Sequence, residues 1–293
     1  LPSFHHLFSV TSLSNEEIRA AVRAALAEDV GSGDATTLAT VPESARARAV
    51  MAAREPLTLA GVKFARAAFL EISAGTAIEA RAADGERLAR GGVILEVSGP
   101  ARALLTAERV ALNFVQRLSG VATRTSKFVD AVSGARARIL DTRKTTPGWR
   151  RFEKYAVAAG GGTNHRFGLF DMVLIKDNHL AALAATESDP IAAAVRRARE
   201  RYPSLKVEVE ADTLDQVRQA VAAKPDFVLL DNMTTGQLRE AVVLCRGVVL
   251  TEASGGVTLE TVRAIAETGV DFISVGGITH SAPAVDIALD FIA

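Results

Sequence analysis

Between residues 141 and 179 the chain gathers Arg143, Lys144, Arg150, Arg151, Lys154, Arg166 and Lys176, against the acids Asp141, Glu153, Asp171 and Asp177. His165 and His179 add donors that are neutral or charged near neutral pH. Arg143, Lys144 and Lys176 each come at the end of an apolar run, while His165 and Arg166 follow the glycine run GGGTN, whose backbone can approach a ligand closely. A guanidinium offers a planar fork to a carboxylate and an ammonium a compact charge, so this group suits a small dicarboxylate. Arg150, Arg151 and Lys154 sit in a helix-like stretch and are expected on a solvated face.

Carboxylates and glycines come next along the chain. Glu210 ends KVEVE and Asp231 ends FVLLD, with Glu208 on the same face as Glu210 but deeper. Such hard oxygens suit Mg²⁺, which keeps waters and bridges to phosphates; ion pairing with the lysines is the structural alternative. Ser254-Gly255-Gly256 and Gly276-Gly277 each precede a predicted helix. Backbone N–H groups at a helix start bind phosphate, and two such loops at consecutive strand ends suggest a phosphate site. The chemistry implied is that of an anionic, phosphorylated substrate pair with a metal.

Six short apolar runs carry these groups: ARILD, DMVLIK, KVEVE, FVLLD, VVLTEASGG and FISVGG. Apolar strands alternating with helices predict a parallel sheet. In a βα-barrel the C-terminal strand ends form one rim, which collects side chains from distant positions. Six strands are fewer than the eight of a regular barrel, so an incomplete one is expected. Upstream, SNEEIRAAVRAALAE reads as an amphipathic helix with Ile18, Val22 and Leu26 on one side. Residues 45–100 read as strands with one helix, and Asp84-Gly85 marks a hairpin turn. A long helix over 101–118 places Leu104, Leu105, Leu112, Val115 and Leu118 on its apolar side. The expected organisation is an α+β domain over 1–118, a barrel over 119–280, and a C-terminal helix over 281–293 packing on either.

Lys+Arg and Asp+Glu both total 34, so no global field favours nucleic acid or an anionic membrane. The single cysteine, Cys245, lies in an apolar stretch and reads as a buried structural thiol, which excludes a disulfide framework and a thiolate metal site. No apolar run reaches the roughly 20 residues of a membrane span. LPSFHHLFSV lacks the basic start and apolar core of a secretory leader, so a cytoplasmic location is expected.

Taken together, EDVGSGDATT, ERVALNFVQRLSGVAT, LDTRKTTPG, KYAVAAGGGTNHRFGLFDMVLIKDNH, VEVE, LLDN, EASGG and VGGITHS resemble the quinolinate phosphoribosyltransferase family. The match covers nearly the whole chain in order and is most specific between 141 and 179. The resemblance implies an N-terminal α+β domain and an incomplete α/β barrel, the architecture of a type II phosphoribosyltransferase. It implies transfer of the phosphoribosyl group of phosphoribosyl pyrophosphate to quinolinate, with Mg²⁺, giving nicotinate mononucleotide, pyrophosphate and CO₂. It further implies that Thr142, Arg143, Lys144, His165, Arg166 and Lys176 hold quinolinate, with Arg109 entering from a neighbouring subunit of a homodimer or larger assembly. Glu210 and Asp231 would face the ribose and metal, and Ser254, Gly255, Gly256, Gly276 and Gly277 the 5-phosphate. Lys144, Lys176, Glu210 and Asp231 are the expected catalytic residues. Ala253 stands where Ser is common and Gly277 where Ala is common, both small-for-small changes.

Two other readings fit parts of the pattern. A Schiff-base lyase would use Lys144 or Lys176 as nucleophile, but such lysines work best desolvated and these lie among other cations. A non-catalytic anion-binding relative would have no need of Glu210 and Asp231.

Overall fold

The structure, a computed structural model, describes residues 13–292; LPSFHHLFSV, read above as no leader, lies outside them. The chain forms two units. One comprises the described residues up to Ser126 together with Thr146–Gly161 and the segment from Ser281 onward, and the other Lys127–Thr145 with Gly162–His280.

The first unit opens with α1 (Asn15–Val30), whose buried residues are Ile18, Val22 and Leu26 as their spacing predicts. Ser14 caps it: its hydroxyl accepts from the Glu17 N–H, and Glu17 accepts from the Ser14 N–H, so two orphan donors are satisfied reciprocally. Then come α2 (Ala35–Thr40), β1 (Arg46–Ala53), β2 (Leu57–Thr58), α3 (Val62–Ile72), β3 (Ala77–Ala80), β4 (Arg87–Leu88) and β5 (Val93–Pro100). β1 and β3 flank β5, both antiparallel to it, and the Asp84-Gly85 turn lies between β3 and β5 as expected. The following helix, α4 (Ala101–Ala131), runs thirteen residues past the predicted end at 118. Gly120 lies within it, where a Cβ would collide with the backbone of Pro283.

The second unit is the parallel sheet. Its strands and connecting helices run β6 (Arg138–Leu140), β7 (Val173–Ile175), α6 (Asp177–Ala184), α7 (Pro190–Arg201), β8 (Val207–Ala211), α8 (Leu214–Ala223) and β9 (Phe227–Asp231), with α5 (Arg150–Ala159) intervening in the chain between β6 and β7. They continue through α9 (Thr235–Cys245), β10 (Leu250–Ser254), α10 (Val262–Ala266), β11 (Phe272–Ser274) and α11 (Gly277–His280). Every predicted strand is present, in the order β6-β11-β10-β9-β8-β7. The sheet does not close between β6 and β7; the Gly162–Arg166 stretch lies along the free edge of β6, bridging Leu140 to Thr163. This is an incomplete barrel. Phe227 to Leu230 of β9 are all buried, which explains why these strands read as continuous apolar runs.

Three expectations need correcting. The expected C-terminal helix is a strand, β12 (Ile287–Ile292), antiparallel to β1 and completing the order β12-β1-β5-β3. Ile287 and Leu289 are buried at a spacing of two, a strand period that a helical reading of PAVDIALDFIA misses. The expected continuity of each domain along the chain also fails, because Thr146–Gly161 returns to the first unit. There Trp149 stacks on Phe114 and Phe152 meets Phe64 edge-on, with centroids at 5.3 Å in both pairs. Finally, Lys154 is fully buried rather than on a solvated face. Cys245 is buried as expected, and burial, with the Asp271 charge beside it, pushes its thiol up to about 12. Among the described residues no helix is long and apolar enough to cross a membrane.

Candidate active site

The C-terminal ends of the parallel strands bring together most of the predicted groups. Lys176 follows β7 and Glu210 lies near the end of β8, and their side chains form an ion pair. Asp231 ends β9 in register with Ser254 of β10. Asn232, at φ 53°, donates from Nδ2 to Asp231 (2.7 Å), and its N–H donates to the Ser254 carbonyl (3.0 Å). Gly255 has φ 96°, and a Cβ on it would overlap the Asn232 side chain, so glycine is required on both counts. Across the sheet, Lys144 lays its aliphatic stem against Gly276, where a Cβ would lie 3.1 Å from Cδ. The Lys144 carbonyl accepts from the Thr279 hydroxyl (2.8 Å), and its N–H donates to Thr142 Oγ1 (3.0 Å).

The glycine loops depart from the expectation in one respect. Ser254–Gly256 is followed by a turn, Thr258–Thr261, before α10, and α11 is a single turn. Any phosphate held there would rest on loop N–H groups and side chains, with little help from a helix dipole.

Arg166 is largely buried, and one of its guanidinium nitrogens donates to the Met172 carbonyl (3.1 Å). Burial, and then the neighbouring Arg143 guanidinium, lower its proton affinity below the usual arginine range. Glu208 and Asp171 act on it in the opposite direction. Asp171 shapes the adjoining loop by accepting from the N–H groups of Phe167 (2.6 Å) and Gly168 (2.8 Å).

Beneath the rim lies a cluster of which the sequence reading named His165 and Glu208 but not Glu252. His165 Nε2 is 3.1 Å from Glu208 Oε2 and 3.3 Å from Glu252 Oε2. Glu208 is 0% exposed, Glu252 1% and His165 7%. Burial opposes charge on the imidazole, while Glu252 and Glu208 favour it and raise its value to about 10. Yet the Arg166 N–H points at Nδ1 from 2.7 Å, so Nδ1 must present a lone pair. Geometry decides this conflict: Nδ1 accepts from the Arg166 N–H, so the ring proton lies on Nε2, toward Glu208. Desolvation and the adjacent Glu252 push Glu208 up to about 7, while Glu252 is lowered despite its burial. Asp141, fully buried at the end of β6, accepts from the His165 N–H (2.8 Å) and from Asn164 Nδ2 (2.7 Å). Glu252 and Asp141 escaped the sequence reading as site residues because each passes for a strand-end acid; an acid inside an otherwise apolar strand was the available signal.

Arg109, on α4, is exposed and lines a small polar hollow of the first unit with Asp29, Asp34, Thr36 and Thr106. The larger cavity, about 750 Å³, lies at the opposite ends of the parallel strands, against Asp226, Cys245, Leu250 and Asp271, and contains none of the predicted site residues.

Residues 34–119 match the family model described as the quinolinate phosphoribosyl transferase N-terminal domain, and residues 121–290 match its C-terminal domain. The chain is 45% identical to the nicotinate-nucleotide pyrophosphorylase [carboxylating] of Mycobacterium leprae, over 93% of this chain and 96% of that one. It is 42% identical to the probable enzyme of that name from Bacillus subtilis, over 90% and 89%. Among solved structures, the nicotinate-nucleotide pyrophosphorylase of Francisella tularensis superposes with a TM-score of 0.91 at 41% identity, covering 97% of this chain and 99% of that one. With both domain models matched in order and relatives similar over almost their full length, the chain belongs to the quinolinate phosphoribosyl transferase family.

Proposed function

We propose that this protein transfers the phosphoribosyl group of phosphoribosyl pyrophosphate to quinolinate with decarboxylation, yielding nicotinate mononucleotide, pyrophosphate and CO₂, a step of NAD biosynthesis. The observation that carries the reading is the meeting of cations and acids at the C-terminal strand ends: Lys176 after β7 pairs with Glu210 of β8, and Asp231 of β9 lies in register with Ser254 of β10. Lys144 and Lys176 add compact charges at the rim, and Thr142 stays with them through its bond to the Lys144 N–H. Together these groups would grip both carboxylates and aim the ring nitrogen at the anomeric carbon; positioning of this kind is a main catalytic contribution.

Cleavage of the ribose–pyrophosphate bond builds positive charge at the anomeric carbon, which Glu210 and Asp231 would stabilise from the ends of β8 and β9. Their carboxylates at neighbouring strand ends also have the hard-oxygen chemistry that Mg²⁺ requires, directly or through water. When bound, Mg²⁺ neutralises charge on the diphosphate. Ser254, Gly255, Gly256, Gly276 and Gly277 would cradle the 5-phosphate. After transfer the ring nitrogen is cationic and accepts the electrons released with CO₂; the carbon left behind takes a proton from Lys144 or from water. The enzyme would work in the cytoplasm as a homodimer or larger homo-oligomer, with Arg109 of one subunit completing the site of another.

The direct test is release of CO₂ and pyrophosphate from quinolinate, then from nicotinate. Cations left unpaired by a missing 2-carboxylate should favour quinolinate by roughly 10⁴-fold in kcat/KM. Comparable values for the two acids would overturn the reading.

A further inference from the structure

Both ring nitrogens of His165 are already engaged by the protein. Nδ1 accepts from the Arg166 N–H at 2.7 Å, and Nε2 faces Glu208 Oε2 at 3.1 Å with Glu252 Oε2 at 3.3 Å. These carboxylates belong to β8 and β10, with β9 between them, so one imidazole ties two strands of the barrel interior. The tie continues outward. Asp141 fixes the His165 N–H and the Asn164 amide, and Arg166 is anchored through Met172. The whole Asn164–Arg166 turn, which carries a guanidinium of the proposed pyridine site, is thereby fastened to β6 on one side and to β8 and β10 on the other.

We propose that Glu208 and Glu252 are positioning residues for Arg166, acting through His165, and that His165 is a structural tie with no direct bond to the dicarboxylate. The proposal deepens the quinolinate reading, and rests on it for the identity of the ligand. Buried acids that serve only the fold would not be expected to act selectively on one substrate. The imidazole that meets Glu208 at Nε2 receives the Arg166 N–H at Nδ1, so these acids should act selectively on the turn that carries Arg166. A charge pair buried in a sheet interior costs stability unless its hydrogen bonds are satisfied. Although Nε2 meets Glu208 Oε2, Glu208 Oε1 and Glu252 Oε2 are buried without a hydrogen-bond partner, so the cluster is held at a cost.

The test joins a spectroscopic and a kinetic readout. With ¹⁵N-labelled histidine, and His165→Gln to assign the signal, His165 should show an unprotonated Nδ1 and a protonated Nε2. Both should keep their character when quinolinate is added. A protonated Nδ1, or an Nε2 that exchanges its carboxylate partner for the ligand, overturns the proposal. So does a divalent ion, such as added Zn²⁺, that displaces the Nε2 proton. Kinetically, Glu208→Ala, Glu252→Ala and His165→Phe should each raise the KM for quinolinate by about tenfold or more, with the KM for phosphoribosyl pyrophosphate little changed. Glu208→Gln, which keeps an oxygen acceptor for Nε2, should rescue most of the loss. Combining Glu208→Ala with His165→Phe should add nothing to the worse single variant. Additive effects, or an unchanged quinolinate KM, sink it. Should the alanine variants fold poorly, the labelled wild type still decides. Should the wild type not turn over quinolinate at all, the proposed function falls while the nitrogen assignments in the ligand-free protein still test the tie.

Discussion

Lys176 and Glu210 are ion-paired across the ends of the adjacent parallel strands β7 and β8. The Lys176 side chain is 45% exposed and that of Glu210 10%, so water screens the pair and its contribution to folding is under about 1 kcal/mol. The value of the arrangement is chemical. On the proposed function it holds a cation for a substrate carboxylate beside an anion for a developing cation, each kept in place by the other. Lys176→Ala and Lys144→Ala should therefore cost turnover far more than thermal stability. Differential scanning calorimetry beside steady-state assays checks this; unfolded variants would mean that the lysines are core partners.

Glu210→Gln and Asp231→Asn should lower kcat by roughly 10²-fold while leaving quinolinate binding nearly intact. Their proposed stabilisation peaks in the transition state, so it belongs to kcat and not to ground-state affinity for the pyridine acid. Titration calorimetry with quinolinate, set against turnover, separates the two. Weakened binding with unchanged kcat would reverse the assignment.

Gly255→Ala should raise the KM for phosphoribosyl pyrophosphate and cost about 1–3 kcal/mol of stability. The residue is at φ 96°, and the new Cβ would meet both the side chain and the N–H nitrogen of Asn232, the latter at 2.9 Å. Asn232 bonds to Asp231 and to the Ser254 carbonyl, so the loop and the acid would move together. An unchanged KM would remove this loop from the phosphate site.

The parallel sheet was legible because strands buried on both faces leave an unbroken apolar signature, and all six ends carried a charge or a glycine that could be placed on one rim. Proximity was not legible. No sequence pattern says that Glu252 reaches the same imidazole as Glu208, since β9 and its connections separate the two in sequence. The C-terminal strand was misread because its partner, β1, lies more than two hundred residues earlier, and local propensity cannot register such a pairing. Helix α4 runs on past 118 through Gly120, where the absence of a Cβ admits the close approach of Pro283, a contact that local sequence cannot register.

Glu17 gives a pH test that is independent of chemistry. Its carboxylate accepts from Arg151 Nε (2.8 Å) and the Ser14 N–H (2.8 Å), and these bonds, that from Arg151 foremost, lower it from 4.5 to about 2. For an acid depressed on folding, the stabilisation is complete above the unfolded value and is lost as pH falls through the folded one. Wild type should thus exceed Glu17→Gln in Tm at pH 7. The gap should begin to narrow below about 4.5 and close near pH 2. A gap that persists unchanged to pH 2 would show that the glutamine costs packing or capping rather than charge.

Arg109 tests the shared-site reading. It is exposed on α4, and a solvated helix face would explain that position without any function. In a two-fold dimer with shared sites, each centre would instead combine Lys176 of one subunit with Arg109 of the other. Arg109→Ala and Lys176→Ala should then both be nearly inactive alone. Mixed in equal amounts and allowed to exchange, half of the dimers become hybrids. Each hybrid holds one site with neither substitution and one with both. Activity should return to about a quarter of wild type, since half of the dimers each regain one of two sites. Exchange must be verified separately, for instance by mass spectrometry of differently labelled subunits. If hybrids form and no activity returns, Arg109 does not act across the interface, and its loss of function must arise within its own subunit.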